Sequence, residues 1–439
     1  MENKLPKNWI ELPLGKVIHS KKGKKPKQTI DFPKNGFDPY ILIYEMEGGE
    51  VRSYTDDPKV PRASKKDVLL VWDGSIGKCT SGIRGAIGST IVSITPLGNI
   101  PTKFIEYFIK NQKDYILQNS TGTGLQHINK NFFKECIIQL PPISEQNRII
   151  AKLDTLFGQL EQINKSLEHI PTLLKNFRQQ VLTQAVTGKL TEEWRKGKEL
   201  EEWQVLPLID LILGKPRNGY SPKGVEYITP VKSLSLGATT SGAFDSTKIK
   251  YLDIEPPKED SHLWLKTGDI LIQRSNSLDY VGTSAIYTAK DNEFIYPDIM
   301  MKIQANSENL NIYLNYALST SASKVYFQKN ASGTAGNMPK INQDIVSNTP
   351  INRPPLKEQQ EIVNRVENLF AKADAIEAHY EALKIKIEHL PQAILHKAFK
   401  GELVPQLESD GDARELLREI EGVKKNKPIM NKKKSATNN

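Results

Sequence analysis

Apolar positions along the chain follow two periods, and the more regular one is written twice. Starting at Ile149 they fall at Leu153, Leu156, Leu160, Ile163, Leu167, Ile170, Leu174, Phe177 and Val181, in alternating steps of four and three. That is the period of about 3.5 residues that marks a coiled-coil seam. Moving 213 positions on gives Ile362, Val366, Leu369, Ala373, Ile376, Tyr380, Leu383, Ile387, Leu390 and Ile394. The flanks repeat at the same offset: Pro141-Pro142 with Pro354-Pro355, Glu145-Gln146 with Glu358-Gln359, Leu156-Phe157 with Leu369-Phe370, Gly188 with Gly401. The pattern predicts two copies of one long helix, each preceded by proline and closed by glycine, with Ser144 available to cap the first. About 40 residues at a rise of 1.5 Å make a rod of roughly 60 Å. Glu168-His169-Ile170-Pro171 recurs as Glu388-His389-Leu390-Pro391, seven positions out of register. A proline kink is therefore expected to shift by one heptad while the seam keeps its phase.

The second period is shorter. Val-, Ile- and Leu-rich runs from Tyr40 to Tyr44, Asp67 to Trp72 and Ser89 to Ile94, separated by Gly, Ser and Asp, read as strands. Phe104 to Leu117 has helical spacing, and a Gly/Thr loop, Ser120 to Gly124, reads as a tight turn toward the first rod. Landmarks of this head return after the rod. Trp203-Gln-Val-Leu-Pro-Leu echoes Trp9-Ile-Glu-Leu-Pro-Leu, Gly268-Asp-Ile-Leu-Ile272 echoes Lys66-Asp-Val-Leu-Leu70, and Thr334 to Asn342 answers Thr121 to Asn129. Gly214-Lys-Pro-Arg217 takes the place of the Lys21 to Lys27 loop. Between these landmarks the two heads share little.

The expected fold class is α+β, two mixed α/β domains separated by an antiparallel pair of long coiled-coil helices with an internal pseudo-twofold repeat. The expected boundaries are a first head at 1–143, a first helix at 144–190, a second head at 191–353, a second helix at 354–403 and a partly disordered tail at 404–439. Domain–rod–domain–rod order leaves paired rods one simple arrangement, antiparallel. Two heads at a fixed separation suit the reading of two DNA half-sites with an unread gap.

Charge sharpens this picture modestly. Sixty basic against 51 acidic residues give a net charge of +9, a lean toward an anionic partner. Cys79 and Cys136 are the only cysteines, too few for a disulfide framework, and fit a reducing compartment. No signal peptide opens the chain and no run of 18 apolar residues occurs, so a cytoplasmic protein without a membrane segment is expected. The candidate DNA contacts of the first head are Lys22, Lys24, Lys25 and Lys27, where counterion release would supply affinity, together with Trp72 and Arg84. In the second head they are Lys215, Arg217, Arg274 and Asn276. The last two follow a predicted strand, and Arg and Asn can bind guanine and adenine through two hydrogen bonds.

Catalytic motifs fail. Trp72-Asp-Gly-Ser-Ile-Gly-Lys78-Cys79 departs from a phosphate loop at Trp72 and Cys79, and Asp38-Pro-Tyr40 lacks a proline of the amino-methyltransferase clamp. No HExxH, nuclease carboxylate pair, metal-ligand spacing or Ser/His/Asp set is present.

Two dissimilar heads, each followed by a helix opened by Leu-Pro-Pro-Ile-Ser-Glu-Gln or Arg-Pro-Pro-Leu-Lys-Glu-Gln and closed by Gly-Lys-Leu or Gly-Glu-Leu-Val-Pro, resemble the specificity subunit of type I restriction–modification systems. The stretch Gly268 to Asn276 also resembles one common in those recognition domains. The resemblance reaches to about residue 420. It implies that each head binds one half of a bipartite site on double-stranded DNA and that the helices set the gap. It further implies two modification subunits that bind S-adenosylmethionine and methylate adenine, and restriction subunits that use ATP. This chain would hold no cofactor and no catalytic group. The other readings are a coiled-coil scaffold with two protein-binding heads and an enzyme whose active site the motifs do not reveal.

Overall fold

The computed structural model describes residues 5–122, 124–333 and 338–425. It divides into two compact units, Met1–Leu167 with Ala382–Asn439, and Glu168–Glu381. Each unit holds one head, the near part of the helix that follows it, and the far part of the other helix.

The heads share a frame. A two-stranded ribbon ties the start of each head to its end: Ile10–Pro13 pairs antiparallel with Ile137–Leu140, and Gln204–Pro207 with Pro350–Arg353. A four-stranded antiparallel sheet follows, ordered Ile18–Lys22, Ile91–Pro96, Val68–Val71, Cys79–Ser81 in the first head. The second head repeats that order with Arg217–Asn218, Met300–Ile303, Ile270–Gln273 and Ser284–Ile286. The inner strand is a continuous apolar run because both its faces are covered. Val68 and Leu70 pack into the main helical core with Phe104 and Phe108, while Leu69 and Val71 face a smaller core with Ile41 and Ile87.

The contents beyond the frame differ. The first head adds a four-stranded sheet containing a parallel pairing of Tyr40–Ile41 with Ala86–Ile87, and the second adds a three-stranded antiparallel sheet. The strand expected over 40–44 stops at Ile41. Residues Ile43–Met46 form one helical turn instead, whose first N–H, on Leu42, donates to Glu45 Oε2 at 3.0 Å.

The duplicated Glu-Gln pair explains itself here. Glu145 and Glu358 are both fully buried at the start of their helices. Trp9 Nε1 donates to Glu145 and Trp203 Nε1 to Glu358, each at 2.9 Å, so the residue just before each ribbon is pinned to the helix after it. The next residue turns back: Gln146 donates to the Pro141 carbonyl at 2.8 Å and Gln359 to that of Pro354 at 3.0 Å. The Leu-Phe repeat joins rod to head, Phe157 packing on Tyr107 at 5.5 Å and Phe370 on Tyr316 at 6.1 Å between ring centroids.

The rods depart from expectation in three ways. The first is two helices, Ile143–Leu167 and Ile170–Val186, because Pro171 is accommodated in a new first turn, where its missing N–H is not needed. The second runs unbroken from Leu356 to Phe399 with Pro391 inside it. There the following turns are held by the first head: Gln392 donates to the Asn111 carbonyl at 2.7 Å, and Phe399 meets Phe104 and Phe108 at 5.2 and 5.3 Å. Ser144 lies inside its helix rather than capping it. Finally, the seam is buried discontinuously, with Leu160, Leu174, Ala373 and Ile387 covered between open positions. Ile149, Leu153, Val181, Ile362 and Val366 are buried, whereas Ile163, Phe177, Ile376, Leu383 and Leu390 are exposed.

Within each unit the helices meet in antiparallel order. Ile149 and Leu153 share a core with Leu395, Ala398 and Phe399 in the first, and Val181, Leu182 and Ala185 share one with Ile362, Val363 and Val366 in the second. Arg178 bridges across the second pair to Asp374 at 2.6 Å and Glu377 at 2.8 Å. Gly188 and Gly401 take the left-handed conformation expected of them, with φ of 79° and 74°. At Gly401 the two hydrogen bonds of a Schellman turn form, Gly401 N–H to Ala398 and Glu402 N–H to Lys397.

Ala413–Lys425 is a helix whose Leu416 and Ile420 enter the first head's core beside Gly98, where a Cβ would lie 2.9 Å from Ile420. Arg148 anchors its approach through Asp410, at 2.5 and 2.7 Å. The lysines at 427 and 432–434 lie outside the described residues.

Candidate nucleic-acid interface

Lys21 and Lys22 end the edge strand of the first head's sheet and Lys24, Lys25 and Lys27 follow, all exposed. The strand ends at Gly23, whose backbone passes so close to the next layer that a Cβ would fall 2.0 Å from the Gly88 carbonyl oxygen. Gly23 N–H donates to Ile91 and Lys24 N–H to Ile87, so the basic loop is pinned at its base. Lys24 and Lys25 have no ion-pair partner among the described residues, while Lys22 reaches Asp73 at 2.8 Å.

Asp73 lies just past the inner strand Val68–Val71, one strand beyond the neighbour of the edge strand, and also meets His127 Nδ1 at 2.7 Å. Burial favours the protonated form of Asp73, but the hydrogen bonds from Lys22 and His127 outweigh it and hold its pKa below the usual carboxylate value. The Gly/Thr loop is thereby hooked across the strand end: His127 forms backbone bridges with both Asp73 and Thr121. The second head repeats the hook with Lys340, the counterpart of His127, bridging Ser275 and Ser332. Residues 123 and 334–337 within these loops lie outside the described residues.

Two proposed contacts fall away from this edge. Trp72 is 8% exposed and packs against Phe132 and Phe133, with centroids 6.5 and 5.2 Å away, so its ring belongs to the core and offers no face to a base. Arg84 is exposed, but it follows Ser81, which pairs with Val68 at the opposite end of the inner strand from Asp73.

In the second head the four candidates separate into two places. Arg217 stands on the edge strand opposite Lys302, the register position that Lys21 holds opposite Ser93 in the first head. Gly219 then makes the same close approach as Gly23, a Cβ there falling 2.0 Å from the Tyr296 oxygen. The basic Gly214-to-Arg217 stretch thus lies before this glycine, not after it, and Lys215 and Arg217 line a basic cleft at the far end of the sheet. Arg274 and Asn276 follow Gln273 at the hooked end. Gln273 is fully buried, donates to the Leu236 carbonyl and to Thr239 and Thr240, and accepts from Asn276 Nδ2 at 2.7 Å. Asn276 Oδ1 accepts from Ser277 N–H at 2.7 Å. Asn276 is therefore committed to shaping the loop, and Arg274, bonded only weakly to the Asp298 carbonyl at 3.4 Å, is the freer of the two.

The His127–Asp73 hook, the paired glycines and Lys302 are absent from the contacts inferred above. The equal offset of His127 and Lys340 is the hook's one signal in the sequence.

A family model described as the type I restriction modification DNA specificity domain matches residues 6–172 and again 224–387. The chain belongs to that family. The two matches fall one on each head and the helix after it. Among specificity subunits, that of the type I restriction enzyme EcoKI from Escherichia coli K12 is 31% identical over 424 residues, covering 92% of this chain and 91% of the relative. That of StySPI from Salmonella potsdam is 30% identical over 426 residues, with the same coverage. A chain from a solved structure concerned with complex assembly and conformational transition of a type I R-M system superposes with a TM-score of 0.64 at 18% identity, covering 91% of this chain and 99% of that one. The HsdS subunit from Thermoanaerobacter tengcongensis superposes with a TM-score of 0.56 at 19% identity, covering 91% and 98%. These last two are likenesses of fold. Among the described residues of this specificity-family chain, no helix is long and apolar enough to cross a membrane, and no group of three or more His, Cys, Asp or Glu could hold a metal ion.

Proposed function

We propose that this chain gives a type I restriction–modification complex its DNA sequence specificity, each head reading one half of a bipartite site. The observation that carries this reading is the doubled frame with unlike contents: identical ribbons, sheets and buried Trp–Glu pins support two heads whose additional sheets differ. The helices set the gap between half-sites. Catalysis resides in partner subunits: two modification subunits that use S-adenosylmethionine to methylate adenine, and restriction subunits that use ATP. Apolar side chains left open along the rods, Ile163, Leu173, Ile376 and Ile385, favour protein partners on the helices. The complex works on chromosomal DNA in the cytoplasm.

The test is to express the chain with its modification subunit and map methylated adenines across a host genome. A split motif of two short defined halves with a fixed gap is expected. An active, assembled complex that yields one continuous motif, or none, would overturn the two-headed reading.

A further inference from the structure

The second head contains a cleft of about 650 Å³ at the end of its sheet away from the hooked loop. Its walls carry five cationic side chains, Lys215, Arg217, Lys258, Lys266 and Lys302, against a single carboxylate, Asp260. None of Lys215, Arg217, Lys258 and Lys266 has an ion-pair partner among the described residues, so their charges face the cleft and solvent uncompensated. Lys302 forms the floor. It is largely buried, donates to the Trp264 carbonyl at 2.8 Å, and lies 3.3 Å from the fully buried Asp269. Burial lowers the Lys302 pKa, the adjoining Lys266 and Arg217 push the same way, and Asp269 opposes them.

The cleft is built, not incidental. Asp269 is fixed by the Lys266 N–H at 2.8 Å and the Gln304 amide at 2.5 Å. The wall from 257 to 264 is closed by the Trp264 indole, which donates to the Pro257 carbonyl at 3.1 Å. The first head has the same skeleton, with Lys21 in the register of Arg217 but no cation at the floor. Asp67 stands for Asp269 and Thr95 for Gln304, donating to Asp67 at 2.6 Å, but Ser93 occupies the place of Lys302.

We propose that this cleft is a phosphate-binding site peculiar to the second head. Clustered ammonium and guanidinium donors that outnumber the carboxylates Asp260 and Asp269 match a phosphate oxygen set, and Arg217 can supply two parallel N–H donors. The phosphate is either a diester of the DNA backbone, an assignment that rests on the function proposed above, or that of a free nucleotide.

Full-length protein is titrated with inorganic pyrophosphate at constant ionic strength, following thermal unfolding and calorimetric heat. Saturable stabilisation is expected for the wild type, reduced at least tenfold in affinity in Arg217→Ala/Lys266→Ala. Both positions are exposed, and an unchanged melting temperature without ligand establishes that the variant is folded. A second arm measures duplex affinity against salt. If the double variant also flattens the slope of log K against log salt by roughly one to two, a backbone phosphate occupies the cleft. If pyrophosphate binding is lost while the slope is unchanged, the occupant is a free nucleotide or phosphate. Wild type and variant indistinguishable in both arms would overturn the proposal. The genome map separates that failure from failure of the DNA reading, because a split motif persisting beside an inert cleft removes only the cleft.

Discussion

The indole N–H of Trp9 and the carboxylate of Glu145 meet at 2.9 Å across a ribbon whose strands lie at opposite ends of the first head's sequence. The same bond joins Trp203 to Glu358, but the two carboxylates differ in company. Glu145 also accepts from the Gln406 amide at 3.0 Å, whereas Glu358 accepts from Thr191 at 2.8 Å and forms an ion pair with Arg195.

That difference gives opposite expectations for one substitution. Burial raises the Glu145 pKa above its unfolded value, so its contribution to stability is complete below the unfolded pKa and is lost as pH rises through the folded one. Glu145→Gln is therefore expected to be neutral or stabilising at pH 7, Gln406 turning its amide oxygen to the new donor. Glu358→Gln removes the buried carboxylate from Arg195, leaving it Glu202 at 3.7 Å and the Leu200 and Glu201 carbonyls, and should cost about 1–2 kcal/mol. Urea unfolding of both variants checks this, and equal losses would refute the asymmetry.

Replacing Lys24 and Lys25 with Ala should weaken binding to every duplex alike and flatten the salt slope by roughly two, at about 0.9 per phosphate contact. Affinity measured at several salt concentrations on specific and scrambled duplexes decides it. An unchanged slope takes the loop out of the interface.

Acid should loosen the first unit. Arg148 holds the Asp410 pKa down against burial, and at Asp73 and Asp154 hydrogen bonds from Lys22 with His127, and from Lys103 with Tyr107, outweigh the burial that would raise it. Each folded pKa lies below its unfolded value, so the stabilisation is present above the unfolded pKa and disappears as pH falls through the folded one. Asp410→Ala is expected to cost about 1–3 kcal/mol at pH 7 and much less near pH 2. Hydrogen exchange in the Ala413–Lys425 helix should rise with it at neutral pH; unchanged protection there would contradict the anchoring role.

Removing one heptad from each rod should shorten the unread gap without altering either half-site. Seven residues span about 10 Å of helix, roughly three base pairs. Methylation mapping of the shortened protein reads the gap directly, and an unaltered gap would mean that the rods do not measure it.

Much of the frame was legible because duplication supplies its own control. The offset of 213 located the buried glutamates, the Leu-Phe rod contacts and the two left-handed glycines before any packing was known. It could not say that the first rod breaks. The heptad phase runs through Pro171 and Pro391 alike, and only packing against the first head distinguishes them. Site residues were harder to read. Trp72 looks available because it closes a strand, yet Phe132 and Phe133, some 60 positions away, enclose its ring. Asn276 has base-reading chemistry that its neighbours Gln273 and Ser277 already use. Lys302 is inconspicuous within Met-Met-Lys-Ile, and its meaning comes from cations brought beside it by two other segments.

The division of the chain also dictates an order of assembly during synthesis. The second unit is continuous, Glu168–Glu381, and has all its parts once that stretch has left the ribosome. The first unit, although its head is translated before the second, lacks Leu395, Phe399, Leu416 and Ile420 of its core until those residues have been made. The N-terminal head must wait with an open apolar face while the later one closes, the reverse of the usual N-to-C progression of domains. Nascent chains stalled so that residue 381 has just cleared the ribosome should accordingly show a protease-resistant second head and a sensitive first, which makes the Ala413–Lys425 helix the latch on a head made long before it.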